Sequence, residues 1–412
     1  MTIIEATRQR ISGGQVATLV LLFGQGSAAL GAVLVNILAA RVLDPADRGD
    51  LAFALQIAYF LTVLAIMGME RPYIAEHDGG FNAALLNFAR LMLPGALLIL
   101  PIAFLVVHFS FLGERWLLYG LLALAVYTAF NALSQGVRVG YVVSREWRIF
   151  GTYAILTQLL IIAGAVLLAY LDVARPEAWV LVYMISTLPA LILLFRAWRR
   201  RRREIEPLPA EQSRRIRRKG WILLPADFSN TAMTCSDRLL LPILSSSAEL
   251  GLYVTVATVL EMASWPVKQW VDASLRGWAK SGAELSAQMP KIMLKAFGML
   301  VVLAAVLGIA AYAMIHLVLP DSYARATTVI VPLAIGAVIF GLTRIQQGFL
   351  IALGAAGSVS AVEIVGTATS LVAFVILIPA YGMFGAAFGA IVGYLTCLLL
   401  GAILLLRTRK KV

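Results

Sequence analysis

Apolar runs of about twenty residues or more follow one another almost from end to end of this 412-residue chain, broken only by short polar or Pro/Gly stretches. Some 20 apolar residues wound as a helix cross the hydrocarbon core of a bilayer, whereas a membrane-spanning strand needs only about 10. The runs are therefore helices that need lipid around them, and a barrel is excluded. Composition agrees: 61% of residues are hydrophobic, 14% are charged and the mean hydropathy is +0.87, too apolar for a common water-soluble domain. The expected fold is all-α, a polytopic membrane protein of about twelve transmembrane helices in two six-helix lobes.

Turn and charge signals place the first six helices at 15–43, 51–69, 84–108, 116–137, 149–170 and 178–198. The second six fall at 221–244, 250–270, 292–319, 327–353, 358–378 and 383–406. The organisation expected is a lobe at 1–198, a basic linker at 199–220 and a second lobe at 221–412. Residues 1–14 are polar and basic, and the run after them is too long for a signal-peptide core, so the first helix is expected to stay uncleaved.

The net charge of +12 suggests nucleic acid only until the basic residues are sorted by loop. With the N-terminus inside, the cytoplasmic set holds Arg8, Arg10, Arg71, Arg90, Arg138, Arg145, Arg148, the dense group from Arg196 to Lys219, Lys268, Arg276, Lys280, Lys291, Lys295, Arg344, Arg407, Arg409, Lys410 and Lys411. The outer set is Arg41, Arg48, Arg115, Arg175 and Arg325. Such asymmetry puts both termini in the cytoplasm and supports an even helix count. The segment from Arg196 to Gly220 reads as a topology determinant resting on anionic headgroups or as a docking site for a cytoplasmic partner. Cys235 and Cys397 each lie in an apolar run and read as packing residues. The three histidines, His77, His108 and His316, show no metal-ligand spacing.

Shifting the sequence by 202 positions lays Ala46-Asp47-Arg48-Gly49 over Ala248-Glu249-Leu250-Gly251, a shared A-[DE]-x-G at the outer turn between the first two helices of each half. Equivalent placement in two six-helix units is the arrangement of a carrier built from parallel repeats. Three passages carry a family resemblance: AARVLDPADRGDLAFALQIAYFLTVLAIMGMERPYIAEH from Ala39, SDRLLLPILSSSAELGLYVTVATVLEMAS from Ser236, and IPAYGMFGAAFGAIVGYLTCLLLGAILL from Ile378. In these the chain resembles the polysaccharide flippases of the MATE-like superfamily, the Wzx-type carriers of undecaprenyl-pyrophosphate-linked repeat units. Drug antiporters of that superfamily carry an acidic cation site in the first helix. Here that helix holds Gln25 and Asn36 and no Asp or Glu before Asp44. Lipid II flippases typically have two further C-terminal helices, and this chain stops at Val412.

Polar residues inside the spans mark the candidate site. Asp227, Asn230, Thr231, Thr234 and Arg238 share one face of the seventh helix, at i, i+3, i+4, i+7 and i+11. A charge at the bilayer centre costs about 2.5 to 3.5 kcal/mol on insertion scales, so this face must look into protein or water. Similar stripes run through Asn131, Ser134, Gln135 and Arg138, and through Glu363, Thr367 and Ser370, while Gln25 and Asn36 share a face of the first helix. Several half-wet helices require a central cavity. The substrate that the resemblance implies needs cations for its pyrophosphate and hydroxyls or amides for its sugars, leaving the polyprenyl tail in lipid.

Arg238 and Arg344 are the first phosphate candidates, since a guanidinium fork matches phosphate oxygens, with Asn36 and Asn230 as sugar-binding amides. Arg41 and Arg71 lie nearer helix ends and suit either a cavity role or interfacial snorkelling. Asp227, Asp237 and Glu261 are candidates for ion coupling, with the alternative that Asp227 or Asp237 simply neutralises Arg238. Glu363 lies near a cytoplasmic helix end, where it can be merely solvated. Trp265, Trp270 and Trp278 read as an interfacial belt or as a groove for the lipid tail. Pro94, Pro189, Pro225, Pro266 and Pro332 permit kinks.

Outer connections are too short to house a catalytic domain, so an enzyme is not expected, nor a cofactor or metal. The leading expectation is a bacterial inner-membrane carrier that flips a lipid-linked oligosaccharide by alternating access for surface polysaccharide synthesis. Its expected partners are that substrate, membrane lipids, and polysaccharide polymerase and glycosyltransferases, with no nucleic acid. The alternative is a MATE-like cation-coupled exporter of small organic cations.

Overall fold

The computed structural model describes residues 30–77, 79–109, 116–144, 146–201 and 207–409, and its regular secondary structure there is helical throughout. The first half of the sequence contains α1 (Leu30–Val42), α2 (Pro45–Ile66), α3 (Glu70–Glu76), α4 (Phe81–Phe109), α5 (Trp116–Ser144), α6 (Trp147–Tyr170), α7 (Pro176–Ser186) and α8 (Leu188–Arg201). The second contains α9 (Ala210–Leu244), α10 (Ser247–Leu260), α11 (Trp265–Leu317), α12 (Ile330–Ala352), α13 (Ala356–Tyr381) and α14 (Met383–Arg409). Among the described residues, nine helical segments are long and apolar enough to cross a membrane. With α1, α5 and α9, which occupy the places expected for the first, fourth and seventh spans, they make the twelve expected from sequence. The polar N-terminus and Gln25 lie outside the described residues.

Three expected boundaries change. Residues 210–220 of the linker are not a loop: they wind into the first three turns of α9, whose Glu and Arg-rich run is a good helix former. The eighth and ninth spans are joined by helix, through a single 3-10 turn at Glu261–Ser264 that hands over to the 53-residue α11. At 1.5 Å per residue α11 is about 80 Å long, far more than a bilayer thickness, so its first half is the connection itself. The sixth span breaks at Thr187, because Pro189 has no N–H to continue the ladder of α7.

The sequence repeat is built into the backbone. Asp44 caps α2 by accepting the Asp47 N–H at 2.8 Å, and Ser246, 202 positions on, caps α10 by accepting the Glu249 N–H at 3.3 Å. The glycines of the two motifs then cross. A methyl carbon built on Gly49 would lie 1.7 Å from the Ser247 carbonyl oxygen, and one on Gly251 would lie 1.9 Å from that of Pro45. Pro45 and Ser247 are themselves 202 positions apart, so the contact is reciprocal, as a two-fold relation between halves demands. Tyr323 fastens the same end by donating to the Leu43 carbonyl at 3.0 Å.

Glu249 supports this end within the second half. Its carboxylate accepts the Met383 N–H that opens α14 and the Arg325 guanidinium, both at 2.9 Å. Charge-assisted bonds of this kind contribute about 1.5 to 3 kcal/mol, discounted here because Arg325 is exposed. Glu249→Ala is expected to lower the melting temperature by several degrees, and Glu249→Gln, which still offers an acceptor to Met383, by less. Thermal unfolding followed by intrinsic fluorescence in detergent measures both.

At the opposite end α3 grips α9. Glu76 accepts from Lys219 and from Arg215 at 2.7 Å, while Gln212 donates to the Glu76 carbonyl at 2.9 Å. The Lys219 and then the Arg215 contact hold the Glu76 carboxyl below its ordinary value, against the opposing effect of desolvation. A carboxyl depressed in the folded state contributes stability above its unfolded pKa of about 4.3 and loses it as pH falls through the folded value. Amide-exchange protection of residues 212–219 is therefore expected to hold from pH 7 to 5 and to fall below the usual glutamate range, and Glu76→Gln to lack this transition.

Candidate functional site

The polar face of α9 meets α2, α10, α12 and α14 around a cavity of about 520 Å³. Its walls include Gln56 and Tyr59 from α2, Thr234, Asp237 and Arg238 from α9, Tyr253 from α10, and Phe340 and Tyr394 from α12 and α14. A smaller cavity of about 160 Å³ adjoins it, sharing Gln56 and Arg238 and adding Asn36 from α1, Arg48 from α2, Tyr183 from α7 and Thr258 from α10. The two together occupy the seam between the halves. A charge-bearing face pointing into such a seam avoids the cost of facing lipid, which is why α9 carries its polar residues at helical spacing.

Arg238 is central to both cavities. Its guanidinium pairs with Glu261, which sits at the α10 C-terminus where the 3-10 turn begins. The Arg238 Nε is buried with no hydrogen-bond partner. Asp237, fully packed away, accepts the Tyr253 hydroxyl at 2.6 Å and the Arg238 N–H at 2.8 Å. Asp227 does not neutralise Arg238 as sequence spacing allowed: it lies toward the other end of α9, 3.7 Å from the exposed Arg71.

Arg48 is the residue that sequence reading misplaced. Counted among the outer loop charges, it is in fact 4% exposed and walls the smaller cavity beside Arg238. Its Nη2 donates to the Asn36 side chain, which in turn donates to the Thr255 carbonyl at 3.2 Å. The Arg48 Nε has no partner, and no carboxylate of the described residues pairs with it. Two arginines thus face one small space, each with an unused buried N–H. Sequence offered a weak signal only, an arginine just ahead of an apolar span, and the flanking Asp44, Asp47 and Asp50 make an interfacial turn the simpler reading.

The other sequence candidates divide. Arg344 does not line either cavity: it stacks on Phe340, itself a wall of the large one, with its guanidinium carbon 4.6 Å from that ring. It also donates to Gln347 at 2.9 Å and to Glu363 at 3.1 Å, so Glu363 is a partly buried ion-pair partner and not merely a solvated end residue. Arg41 is exposed near the end of α1 and lines neither cavity, as snorkelling requires. Arg71, 72% exposed, belongs to a surface groove with Lys219. The side chain of Asn230 lies outside the described residues. Thr367 bonds the Ser229 carbonyl at 3.1 Å and Ser370 is packed in, so the stripe on α13 holds α9 in place and does not wet the cavity. Trp265 edges the large cavity but stays 40% exposed, whereas Trp278 packs on Trp270 and Phe349 where α11 lies against α12.

The fold has relatives. A multidrug resistance MATE family transporter of the MOP superfamily, in its inward-facing conformation, superposes with a TM-score of 0.70 at 12% identity, covering 92% of this chain and 95% of that one. The lipid II flippase MurJ, inward closed, superposes at 0.66 with 10% identity, covering 96% and 89%. An outward-facing MATE family transporter gives 0.58 at 14% identity, covering 95% of each. No curated protein matches the sequence. The model of polysaccharide biosynthesis proteins matches residues 17–275, well over half the chain. With a multi-pass helical bundle, a duplicated half and a cationic seam already in place, the chain belongs to the polysaccharide biosynthesis protein family.

Proposed function

We propose that this protein is a flippase for polyprenyl-pyrophosphate-linked oligosaccharides, with undecaprenyl pyrophosphate as the carrier lipid. The observation that carries the reading is Arg48, a buried cation without a carboxylate partner, beside Arg238 in the seam between the halves. A cation kept at such cost is a place for an anion that arrives later. Arg238 serves the second phosphate by exchanging its contact with the half-exposed Glu261. Gln56, Asn36 and Thr234 offer amide and hydroxyl groups to sugars. No covalent step is required, and no catalytic residue is assigned.

In this mechanism lobes 1–198 and 221–412 rock about the seam, with 199–220 tying them together. The reciprocal Gly49/Gly251 contact closes the outer end, and the headgroup enters from the cytoplasmic side. Opposed charges lower the barrier that hydrocarbon sets against a dianionic headgroup. Release of Arg238 frees Glu261 to take a proton or cation, which makes Glu261, with Asp237 and Asp227, the ion-coupling set. The protein sits in a bacterial inner membrane with both termini cytoplasmic, handing product to a polymerase supplied by glycosyltransferases.

The deciding experiment follows lipid-linked oligosaccharide on each leaflet of the inner membrane in cells lacking the protein. Cytoplasmic-side accumulation with loss of surface polysaccharide, restored by the intact gene, is the expected result. Unaltered polysaccharide together with raised sensitivity to organic cations would instead establish the exporter. Against that alternative, Arg48 repels a cationic substrate and Asp237 is already engaged by Tyr253.

A further inference from the structure

A third cavity, of about 430 Å³, shares no residue with the two at the seam and lies in the first half of the chain. It is a slot between α6 and α8, walled by Ile149, Leu156 and Leu160 on one side and by Pro189, Leu193 and Arg196 on the other. The α6 residues are spaced seven and four apart and the α8 residues four and three apart, each a single helical stripe. Pro189, just past the interruption at Thr187, forms one end of the slot. It is apolar along its length apart from Thr152, Tyr153 and Arg196.

We infer that this slot binds an anionic glycerophospholipid, with one acyl chain lying between α6 and α8 and the phosphate on Arg196. Three observations identify the occupant. Only 6% of the α6 span is buried, against 72% for the α10 span, so among the described residues the slot opens outward, to the side where bilayer lies. From Ile149 to Leu160 the helix rises about 16 Å, which matches one leaflet of a hydrocarbon core about 30 Å thick. At the end where a headgroup would lie stands Arg196, exposed and in no ion pair with a described residue, with Arg199 one turn further on. The stacked pair Phe195 and Trp198, both exposed, marks the same level as the membrane interface.

A guanidinium fork holds a phosphate diester, and the second cation one turn away favours a headgroup with no compensating ammonium. The basic run that continues to Lys219 extends this field. Simple snorkelling accounts for Arg196 but not for a leaflet-length slot ending at it. The inference does not rest on the flippase reading, since it concerns neither the seam nor transport.

Native mass spectrometry of the detergent-purified chain, incubated with dioleoyl phosphatidylglycerol or dioleoyl phosphatidylcholine, tests it. One phosphatidylglycerol per chain should survive collisional activation that strips phosphatidylcholine. Arg196→Gln should reduce the retained fraction at least fivefold, and so should Leu193→Trp, which fills the slot, or Leu160→Phe if that variant purifies better. Equal retention of the two lipids would overturn the proposal. So would unchanged phosphatidylglycerol binding in Arg196→Gln together with either slot variant, or slot variants that alter only the proportion of dimer.

Discussion

Arg48→Met is expected to abolish transport while raising the melting temperature. The two effects come from one cause. Arg48 is buried, bonded only to the Asn36 amide, and leaves its Nε without a partner. A charge held that way costs several kcal/mol relative to an apolar side chain of similar length, so removing it relieves the folded state. The same removal deletes half of the cation pair that a pyrophosphate would meet, and a transport rate at least a hundredfold lower is expected. Arg238→Ala should also stop transport, but with stability little changed: Glu261 is half exposed and regains water, and Asp237 keeps the Tyr253 hydroxyl. Leaflet-resolved substrate assays and thermal unfolding, run on both variants, separate these outcomes. An Arg48→Met protein that is less stable, or that transports normally, would make the arginine a structural strut and remove the main support for an anionic substrate.

The second large effect concerns the crossing of the halves. Gly49→Leu or Gly251→Leu should cut transport at least tenfold, because even the first carbon of the new side chain would enter the carbonyl oxygen opposite, at 1.7 or 1.9 Å. Carbon atoms pack at about 3.5 to 4.0 Å, so α2 and α10 must part. The consequence is a leak in the closed end and not a general collapse, since each half keeps its own caps. A cysteine placed at Thr258, in a Cys235→Ser background, reports it. Labelling by a membrane-impermeant maleimide from the repeat-turn side should rise in either leucine variant. Normal transport with unchanged labelling would show that this contact is not a gate.

Hydropathy and spacing revealed the helix count, the duplicated motif and the polar face of α9, all of which depend on residues close in sequence. The failures share a different origin. Arg238 pairs with Glu261, Arg71 with Asp227 and Arg344 with Glu363, partners 23, 156 and 19 residues apart whose meeting depends on how helices pack. Arg48 looked interfacial because its burial comes from α1 and α10, which only the folded seam brings over it. The unexpected helix has a local cause: the segments at 210–220, within the expected linker, and 271–291, between two expected spans, are too charged to register as spans, yet Glu, Gln, Lys, Arg and Ala continue a helix as well in water as Leu does in lipid.

The composition of α9 also bears on how the chain enters the bilayer. Its charged residues, Asp227, Asp237 and Arg238 together with the basic run at its start, keep it off the set of segments apolar enough to cross a membrane unaided. A segment of that kind gains its place from neighbours, and the helix that follows directly, α10, is apolar and ends up the most enclosed of the nine candidate spans. Biogenesis of the second half should therefore proceed by pairs, with α9 waiting at the translocation channel until α10 emerges and the basic residues from Arg214 to Lys219 hold its start on the side of synthesis.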